Sequence, residues 1–192
     1  MPSPVGHSIL GLAIGALWAL PRDAPGSWRD ALALRGDRKA LAAAVFAANA
    51  PDLDYLPGLW VGDLNAFHHG PTHSILFVTV LAAAMAFGWR REDRIAAFGW
   101  LLLAGLSHLI ADVFTDDRRP PFGIPLWWPI SDASVHSPVS VFWNLRKREW
   151  SDFIQWHNAA AVGIEMVVTL PIALAAVAVK WRFGRRRVEN PA

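Results

Sequence analysis

Residues 95–111 read IAAFGWLLLAGLSHLIA, and this stretch decides what class of protein the chain is. Its seventeen residues are interrupted only by Ser107 and His108, and they include no Asp, Glu, Lys or Arg. A helix that crosses the hydrocarbon core of a bilayer needs roughly 17–25 apolar residues. The stretch therefore predicts a membrane-spanning helix with a histidine near its carboxyl-terminal end.

Four more apolar stretches accompany it, two long enough to span a bilayer and two shorter, at residues 72–89, 158–179, 5–20 and 40–50. The two short stretches either cross the membrane at a thinned point or lie buried in the bundle. Because no Lys or Arg precedes the first stretch, we expect it to be retained and not cleaved as a signal peptide. Together they predict an all-α, multi-pass transmembrane bundle of four to five helices, folded as a single membrane-embedded domain over residues 1–192.

The composition excludes several other classes of protein. Of the 192 residues, 54% are hydrophobic and 18% are charged, which excludes a disordered chain and argues against an ordinary soluble domain. A net charge of +2 leaves no basic surface for nucleic acid, so no nucleic-acid binding is expected. With no cysteine, the chain has neither disulfides nor thiolate ligands, and any metal site must use histidine and carboxylates.

Lysine and arginine residues are divided unevenly between the two ends of these helices. Thirteen lie on one side, and five lie on the other, all in the long loop of residues 115–157. The positive-inside rule places the thirteen in the cytoplasm, including the basic carboxyl-terminal tail of residues 181–192. We therefore expect the amino terminus, the loop of residues 51–71 and the irregular, interfacial segment 115–157 to face outwards.

Nine ionisable residues lie at the starts of the odd-numbered stretches or the ends of the even-numbered ones: His7, Asp52, Asp54, His68, His69, His73, His108, Asp112 and His157. Such groups are costly in a membrane and are retained mainly for function. In an up-and-down bundle these positions meet at one face, which is the outer face by the charge count. The seventh histidine, His136, lies in the outer loop, and the basic inner side has none.

The residue types and their spacing predict a metal site. His108 and Asp112 are one helical turn apart on one face, so both can bind one cation. A mixed set of His and Asp without sulfur suits Zn²⁺, Mn²⁺ or Fe²⁺. The predicted ligands exceed what one tetrahedral ion requires: His7, Asp52, His68, His73, His108 and Asp112. We therefore expect two or three ions, with a bridging water as the nucleophile.

Three further residues have competing interpretations. His69 lies one turn before His73 and is a candidate ligand. His157, taken alone, is more often a hydrogen-bond partner between helices than a ligand. Glu165 lies two turns below His157, where it is a deep ligand, a proton-relay acid or a neutral acid bonded across helices, and we favour the last interpretation.

Five motifs follow one another along roughly residues 5–130: Gly6-His7-Ser8, Pro51-Asp52-Leu53-Asp54, HHGPTHS at 68–74, SHLIAD at 107–112 and GIPLWWP at 123–129. In this order they resemble the YdjM-like inner-membrane proteins, which are described as predicted membrane-bound metal-dependent hydrolases. The combination is specific, whereas each motif alone is weak. One departure is His69, where the family pattern usually has arginine. The resemblance implies an inner-membrane location and a hydrolase.

That family in turn looks distantly similar to the zinc-dependent phospholipase C and single-strand nuclease fold, an all-helical scaffold with a three-zinc site. In this comparison His108 and Asp112 match a His-x-x-x-Asp element whose aspartate bridges metals. Asp52 resembles the aspartate of the metal pair, and His7 resembles an early metal-binding histidine. The second His-x-x-x-Glu element of the soluble enzymes has no clear copy here. The resemblance implies phosphoester hydrolysis.

We therefore expect a metal-dependent hydrolase that acts on a lipid-linked or amphiphilic phosphoester at the outward-facing surface of the membrane. Zn²⁺ is the first choice of ion. Asp54 is the candidate general base, or else a residue that orients the ligands. Arg118 and Arg119 either bind a phosphate or lipid headgroup or form a solvated flank. The alternatives are a metal-binding transporter or sensor, and an envelope scaffold that a metal only stiffens.

Overall fold

The computed structural model describes residues 2–19, 38–63, 65–117, 122–147 and 154–189, and the regular structure in these ranges is helical. The helices are α1 (Pro4–Trp18), α2 (Arg38–Asn49), α3 (Tyr55–Val61), α4 (Ile75–Ala86), α5 (Arg94–Val113) and α6 (Trp156–Glu189). Short 3₁₀ turns at Ala50–Asp54 and Pro71–His73 follow α2 and precede α4. The prediction of an all-α fold is confirmed, and each of the five apolar stretches forms a helix.

Glycines let α1 and α2 pack with their backbones close together. A Cβ atom on Gly11 would lie 2.8 Å from the Cα of Val45, and one on Gly15 would lie 3.1 Å from the Cα of Leu41. Close approach through small residues is how helices associate where lipid supplies no hydrophobic driving force. Since the residue numbers run in opposite directions, the two helices are antiparallel, and the start of α1 meets the end of α2.

A second close contact joins α4 and α5. A Cβ atom on Gly105 would lie 2.8 Å from the Cβ of Val78, so α5 approaches α4 closely at this point. The core where α2, α4 and α5 meet is built mainly from alanine: Ala44, Ala47, Ala48, Ala82, Leu101 and Ala104. The end of α5 therefore lies beside the start of α4 and the end of α2.

Two helices in the described part of the chain are long and apolar enough to cross a membrane. These segments are Arg91–Val113, with 23 residues, and Trp156–Arg182, with 27 residues. By contrast, α1 has 15 residues and α4 has 12. At 1.5 Å per residue, α4 is only about 18 Å long, against a hydrocarbon core of about 30 Å.

The helix in the predicted span of residues 72–89 is shorter than the apolar stretch. Pro71–His73 forms a 3₁₀ turn, and the backbone of Ser74 is extended. The Ser74 side chain accepts a hydrogen bond from the backbone N–H of Phe77, which caps α4 at its amino end. The polar turn therefore replaces the first helical turn that the apolar pattern predicted.

The predicted irregular segment of residues 115–157 contains two isolated bridges, Thr115 with Phe142 and Ile124 with Val135, in its described parts. Gly123 has a φ of 91°, and a Cβ atom there would lie 2.2 Å from the carbonyl oxygen of Val135, so only glycine fits. This loop folds back over the end of α5. At the other end of the chain α6 continues to Glu189, so the predicted tail from residue 181 begins as helix.

Candidate metal centre

Four elements deliver polar side chains to one end of the bundle. His7 lies on the first turns of α1, Asp52 and Asp54 lie in the 3₁₀ turn after α2, and His73 ends the 3₁₀ turn before α4. His108 and Asp112 lie on the last turns of α5. The structure thus brings together residues that are about 100 positions apart in the chain. We define five of them as the central cluster: His7, Asp52, His73, His108 and Asp112.

Three imidazole Nε2 atoms surround the carboxylate of Asp112. The Nε2 atoms of His108 and His73 lie 3.1 Å and 3.4 Å from its Oδ2 atom. The Nε2 atom of His7 lies 3.6 Å from its Oδ1 atom, and the His7 ring stacks on that of His108 with centroids 3.8 Å apart. All four side chains are fully buried.

Asp52 is the fifth residue of the central cluster and lies near two of its histidines. Its Oδ1 atom lies 3.7 Å from the Nε2 atom of His73 and 3.8 Å from the Nε2 atom of His108. Its side chain is 10% exposed, whereas the other four are at 0%. Any opening of the central cluster to solvent or to a substrate is therefore on the Asp52 side.

These distances fit a metal ion better than a hydrogen-bond network. Two nitrogen ligands at 2.0–2.1 Å from a tetrahedral ion lie about 3.4 Å apart, and the Nε2 atoms of His73 and His108 are 3.4 Å apart. Both ring nitrogens of His7, the Oδ1 atom of Asp52 and both Asp112 oxygens are buried without a hydrogen-bond partner. Unpaired buried polar atoms are rare in folded proteins. Because the donors are histidine and aspartate, the set suits a divalent cation such as Zn²⁺.

The backbone selects the tautomer of His108. Its Nδ1 atom lies 2.8 Å from the carbonyl oxygen of Ala48, and a carbonyl can only accept, so Nδ1 carries the proton. The Nε2 atom then presents its lone pair to the cluster, as a metal ligand must. This contact joins α5 to the end of α2, so helix packing sets the ring orientation.

Asp54 lies behind the cluster and bonds the histidines on their far side. Its Oδ1 atom lies 2.9 Å from the Nδ1 atom of His68. Its Oδ2 atom accepts a hydrogen bond of 2.9 Å from the Thr72 hydroxyl and lies 3.2 Å from the Nδ1 atom of His73. A carboxylate with both oxygens engaged is well placed to orient ligands and poorly placed to take a proton from water. Of the two roles predicted for Asp54, the geometry supports orientation.

Burial and hydrogen bonding oppose each other in these groups. Burial would raise the pKa of Asp54, but the bonds from His68 and His73 hold it well below its usual range. Burial lowers the pKa of His68 to about 3. Asp54 therefore remains a carboxylate, and its negative charge stabilises positive charge where a divalent ion would supply it.

A second group of candidate ligands lies beside the first. His68, His69 and His73 could hold one ion, and Asp52, Asp54 and His68 could hold another. The Nδ1 atom of His69 lies 3.5 Å from the Oδ2 atom of Asp117, and its Nε2 atom is buried without a hydrogen-bond partner. Sequence reasoning missed Asp117, although it follows Asp112 just beyond the end of α5. Thr72 was also missed, because its role depends on the folded position of Asp54.

Three predicted site residues lie elsewhere or outside the described residues. The Nε2 atom of His157 donates to the carbonyl oxygen of Asn144 at 2.8 Å, and the residue belongs to neither group of candidate ligands. This contact matches the interpretation of His157 as a structural hydrogen-bond donor. Arg118 and Arg119, the predicted binders of a phosphate, lie outside the described residues.

Glu165 binds the amino terminus of α1 across the helix interface. Its carboxylate accepts hydrogen bonds from the backbone N–H of Ser3 at 2.8 Å and from the Ser3 hydroxyl at 2.5 Å. A Cβ atom on Gly6 would lie 3.0 Å from the Glu165 Oε2 atom, so this approach needs glycine. Of the three interpretations of Glu165, the contacts match an acid bonded across helices. His7 lies one turn beyond Ser3, so this contact also positions the central cluster.

Comparison with known proteins identifies a family. No curated protein and no solved structure matches the chain, so the similarity to the phospholipase C and nuclease fold stays a prediction. Residues 1–184 match the family described as YdjM inner membrane protein, which covers the cluster and all six helices almost to the end of α6. The chain therefore belongs to the YdjM inner membrane protein family.

Proposed function

We propose that this protein is a membrane-bound metal-dependent hydrolase that cleaves a lipid-linked or amphiphilic phosphoester with a metal-activated water. One observation carries the proposal: three imidazoles and two carboxylates converge at ligand-to-ligand distances, with buried atoms that lack hydrogen-bond partners. The family's location in the inner membrane supports an amphiphilic substrate. The uneven division of lysine and arginine supports an outward-facing site.

The central cluster would hold the first ion, and His68 and His69, with Asp54 behind them, are candidates for a second. A bound divalent ion lowers the pKa of a water ligand towards neutrality and offsets negative charge that develops on phosphate. His108 contributes its Nε2 lone pair because Ala48 holds its proton on Nδ1. Asp54 holds His73 and His68 in position through their Nδ1 atoms.

Burial determines where a substrate can reach the cluster. His7, His73, His108 and Asp112 are fully enclosed, and only Asp52 has an exposed edge. A substrate therefore approaches past Asp52, and the enclosed histidines keep bulk water away from the remaining sides. This arrangement suits a hydrolase, which needs one open coordination position and a closed ligand set.

The alternative of a transporter is not favoured by the residues below the cluster. The core between α2, α4 and α5 contains Ala44, Ala82, Leu101 and Ala104, which offer no polar side chain to a moving ion. The buried polar residues below the cluster, Glu165, Thr169 and Lys180, lie on α6. Metal content and turnover distinguish the remaining alternatives.

The test uses the full chain purified in lipid nanodiscs, with metal analysis and a panel of phosphomonoesters, phosphodiesters and phospholipids. We expect one to two first-row metal ions per chain, and loss of both metal and turnover in His108→Ala. The matched control is His136→Ala, an exposed histidine in the outer loop, which should change neither. A protein without metal would overturn the site. A protein that binds metal but cleaves nothing in the panel would favour the transporter, sensor or scaffold.

A further inference from the structure

An apolar groove lies beside the central cluster, on the neighbouring face of α5. It has a volume of about 220 Å³ and lies between Ile75 of α4, Leu126 of the loop after α5, four apolar residues of the last half of α5, and Phe114, which directly follows α5. The four α5 residues include Leu109, Ile110 and Val113, and no lining side chain is charged or polar. The groove and the cluster share the same stretch of helix.

The geometry of α5 relates the groove to the candidate metal ligands. Leu109 and Val113 directly follow His108 and Asp112, and one residue along a helix turns about 100°. The ligands and the groove wall therefore occupy adjacent faces of the same two turns. Ile75 follows His73 by two residues, and its backbone N–H donates to the carbonyl oxygen of Leu126 at 3.0 Å. The groove thus begins at the level of the cluster.

The groove lies along a helix that is long enough to cross the membrane. Its lining extends from Phe114 and Val113 back to Leu106. Leu106 lies about 10 Å further along the helix axis than Val113, at 1.5 Å per residue, so the groove runs alongside the level of His108 and Asp112. An acyl chain that entered the groove near Phe114 would follow this course past the level of the cluster.

The rim of the groove is continuous with an exposed apolar surface. Ile110 is 58% exposed and Phe114 is 38% exposed on the α5 side. Beyond Leu126 the loop exposes Trp127 and Ile130. Exposed tryptophan beside an apolar surface is typical of a lipid–water boundary, so hydrocarbon from the bilayer has direct access to the groove.

We propose that this groove binds one acyl chain of the lipid substrate, while the phosphate-bearing headgroup of the same lipid reaches the central cluster past Asp52. The proposal rests on the proposed function, because it assigns the apolar part of that substrate. It also makes the substrate a membrane phospholipid with a long chain, and not a water-soluble phosphoester.

The test is photochemical and does not require turnover. The probe is a phosphatidic acid with a diazirine in the middle of one acyl chain, added to metal-loaded full-length protein in phosphatidylcholine nanodiscs. Adducts are mapped by mass spectrometry. We expect them to be enriched at groove residues over Val167 and Leu174, which are exposed on α6 and do not line the groove.

Two variants make the test specific. Ile110→Trp fills the rim and should lower the groove adduct about tenfold, the loss expected when roughly two methylene groups no longer find an apolar wall. Leu103→Trp is the matched control, since Leu103 is exposed, lies seven residues earlier on the same face and does not line the groove. It should leave the adduct unchanged.

Metal removal tests the link to the cluster. If the headgroup lies at the cluster, chelation should lower the groove adduct severalfold while the α6 adducts stay constant. Equal labelling of groove and α6 would overturn the groove, and a groove adduct that is insensitive to chelation would overturn the assignment of its occupant as the substrate. Because neither readout depends on hydrolysis, a groove that labels as expected in a protein without phosphoesterase activity would refute only the proposed function.

Discussion

Replacing Asp54 with asparagine tests how the structure prepares the histidines for a metal ion. One carboxylate oxygen lies 2.9 Å from the Nδ1 atom of His68. The other lies 2.9 Å from the Thr72 hydroxyl and 3.2 Å from the Nδ1 atom of His73. Asparagine keeps one oxygen and replaces the other with an NH₂ group. That NH₂ group donates hydrogen bonds, and it would face a group that now donates to the carboxylate. If that donor faces His73, the ring keeps a favourable contact only by moving its proton from Nδ1 to Nε2. The Nε2 lone pair would then be lost to the metal.

The expected loss of metal affinity is set by the role of Asp54 in orienting the histidines. Residues that orient metal-bound histidines typically change metal affinity by about 10–100-fold when they are replaced. A tenfold change corresponds to about 1.4 kcal/mol, comparable with the net value of one hydrogen bond to a charged group. We therefore expect Asp54→Asn to weaken metal binding by one to two orders of magnitude while the helices remain assembled.

The assay is competition of the purified protein against a chromogenic chelator, with Zn²⁺ as the metal. Asp132→Asn, at an exposed position in the segment of residues 115–157, is the matched control and should bind Zn²⁺ as the unmodified protein does. Thr72→Val removes only the hydroxyl bond to Asp54 and should lower affinity by a smaller factor, even if Asp54→Asn proves unstable. Unchanged affinity in both Asp54→Asn and Thr72→Val would refute the orienting role.

Three further outcomes are expected. Gly11→Ala should lower the free energy of unfolding by about 1–3 kcal/mol, because its Cβ would lie 2.8 Å from the Cα of Val45. Gly163→Ala, whose Cβ meets nothing within 4 Å inside α6, should leave the stability unchanged or raise it by up to about 1 kcal/mol in the same thermal melt. Equal stability of the two variants would contradict the close packing of α1 on α2. Glu165→Ala should lower the free energy of unfolding by about 1–3 kcal/mol, because it leaves the buried N–H and hydroxyl of Ser3 without an acceptor. Glu165→Gln keeps one acceptor oxygen and should restore part of that stability. Equal stability of the two variants would show that the acceptor is unimportant. A reporter active only in the periplasm should be silent when fused after the last residue, and a strong signal would reverse the orientation.

The sequence alone determined the helices and the end of the bundle at which the polar residues meet. Uninterrupted apolar runs exclude other secondary structure in a membrane, because every backbone group must be paired within the segment. Alternation of direction then brings helix starts and ends together whatever the packing details. The spacing of His108 and Asp112 is likewise a local property, since residues four apart share one helical face.

Which of those residues share a site depends on how the helices pack. His157 starts a helix as His7 does, yet it bonds Asn144 while His7 reaches Asp112 at 3.6 Å. The difference comes from the depth and rotation of each helix, which depend on contacts such as that of Gly11 with Val45. The tautomer of His108 depends on a carbonyl 60 residues away. Ligand geometry is a sum of long-range contacts that no local pattern encodes, so it follows only from how the helices pack.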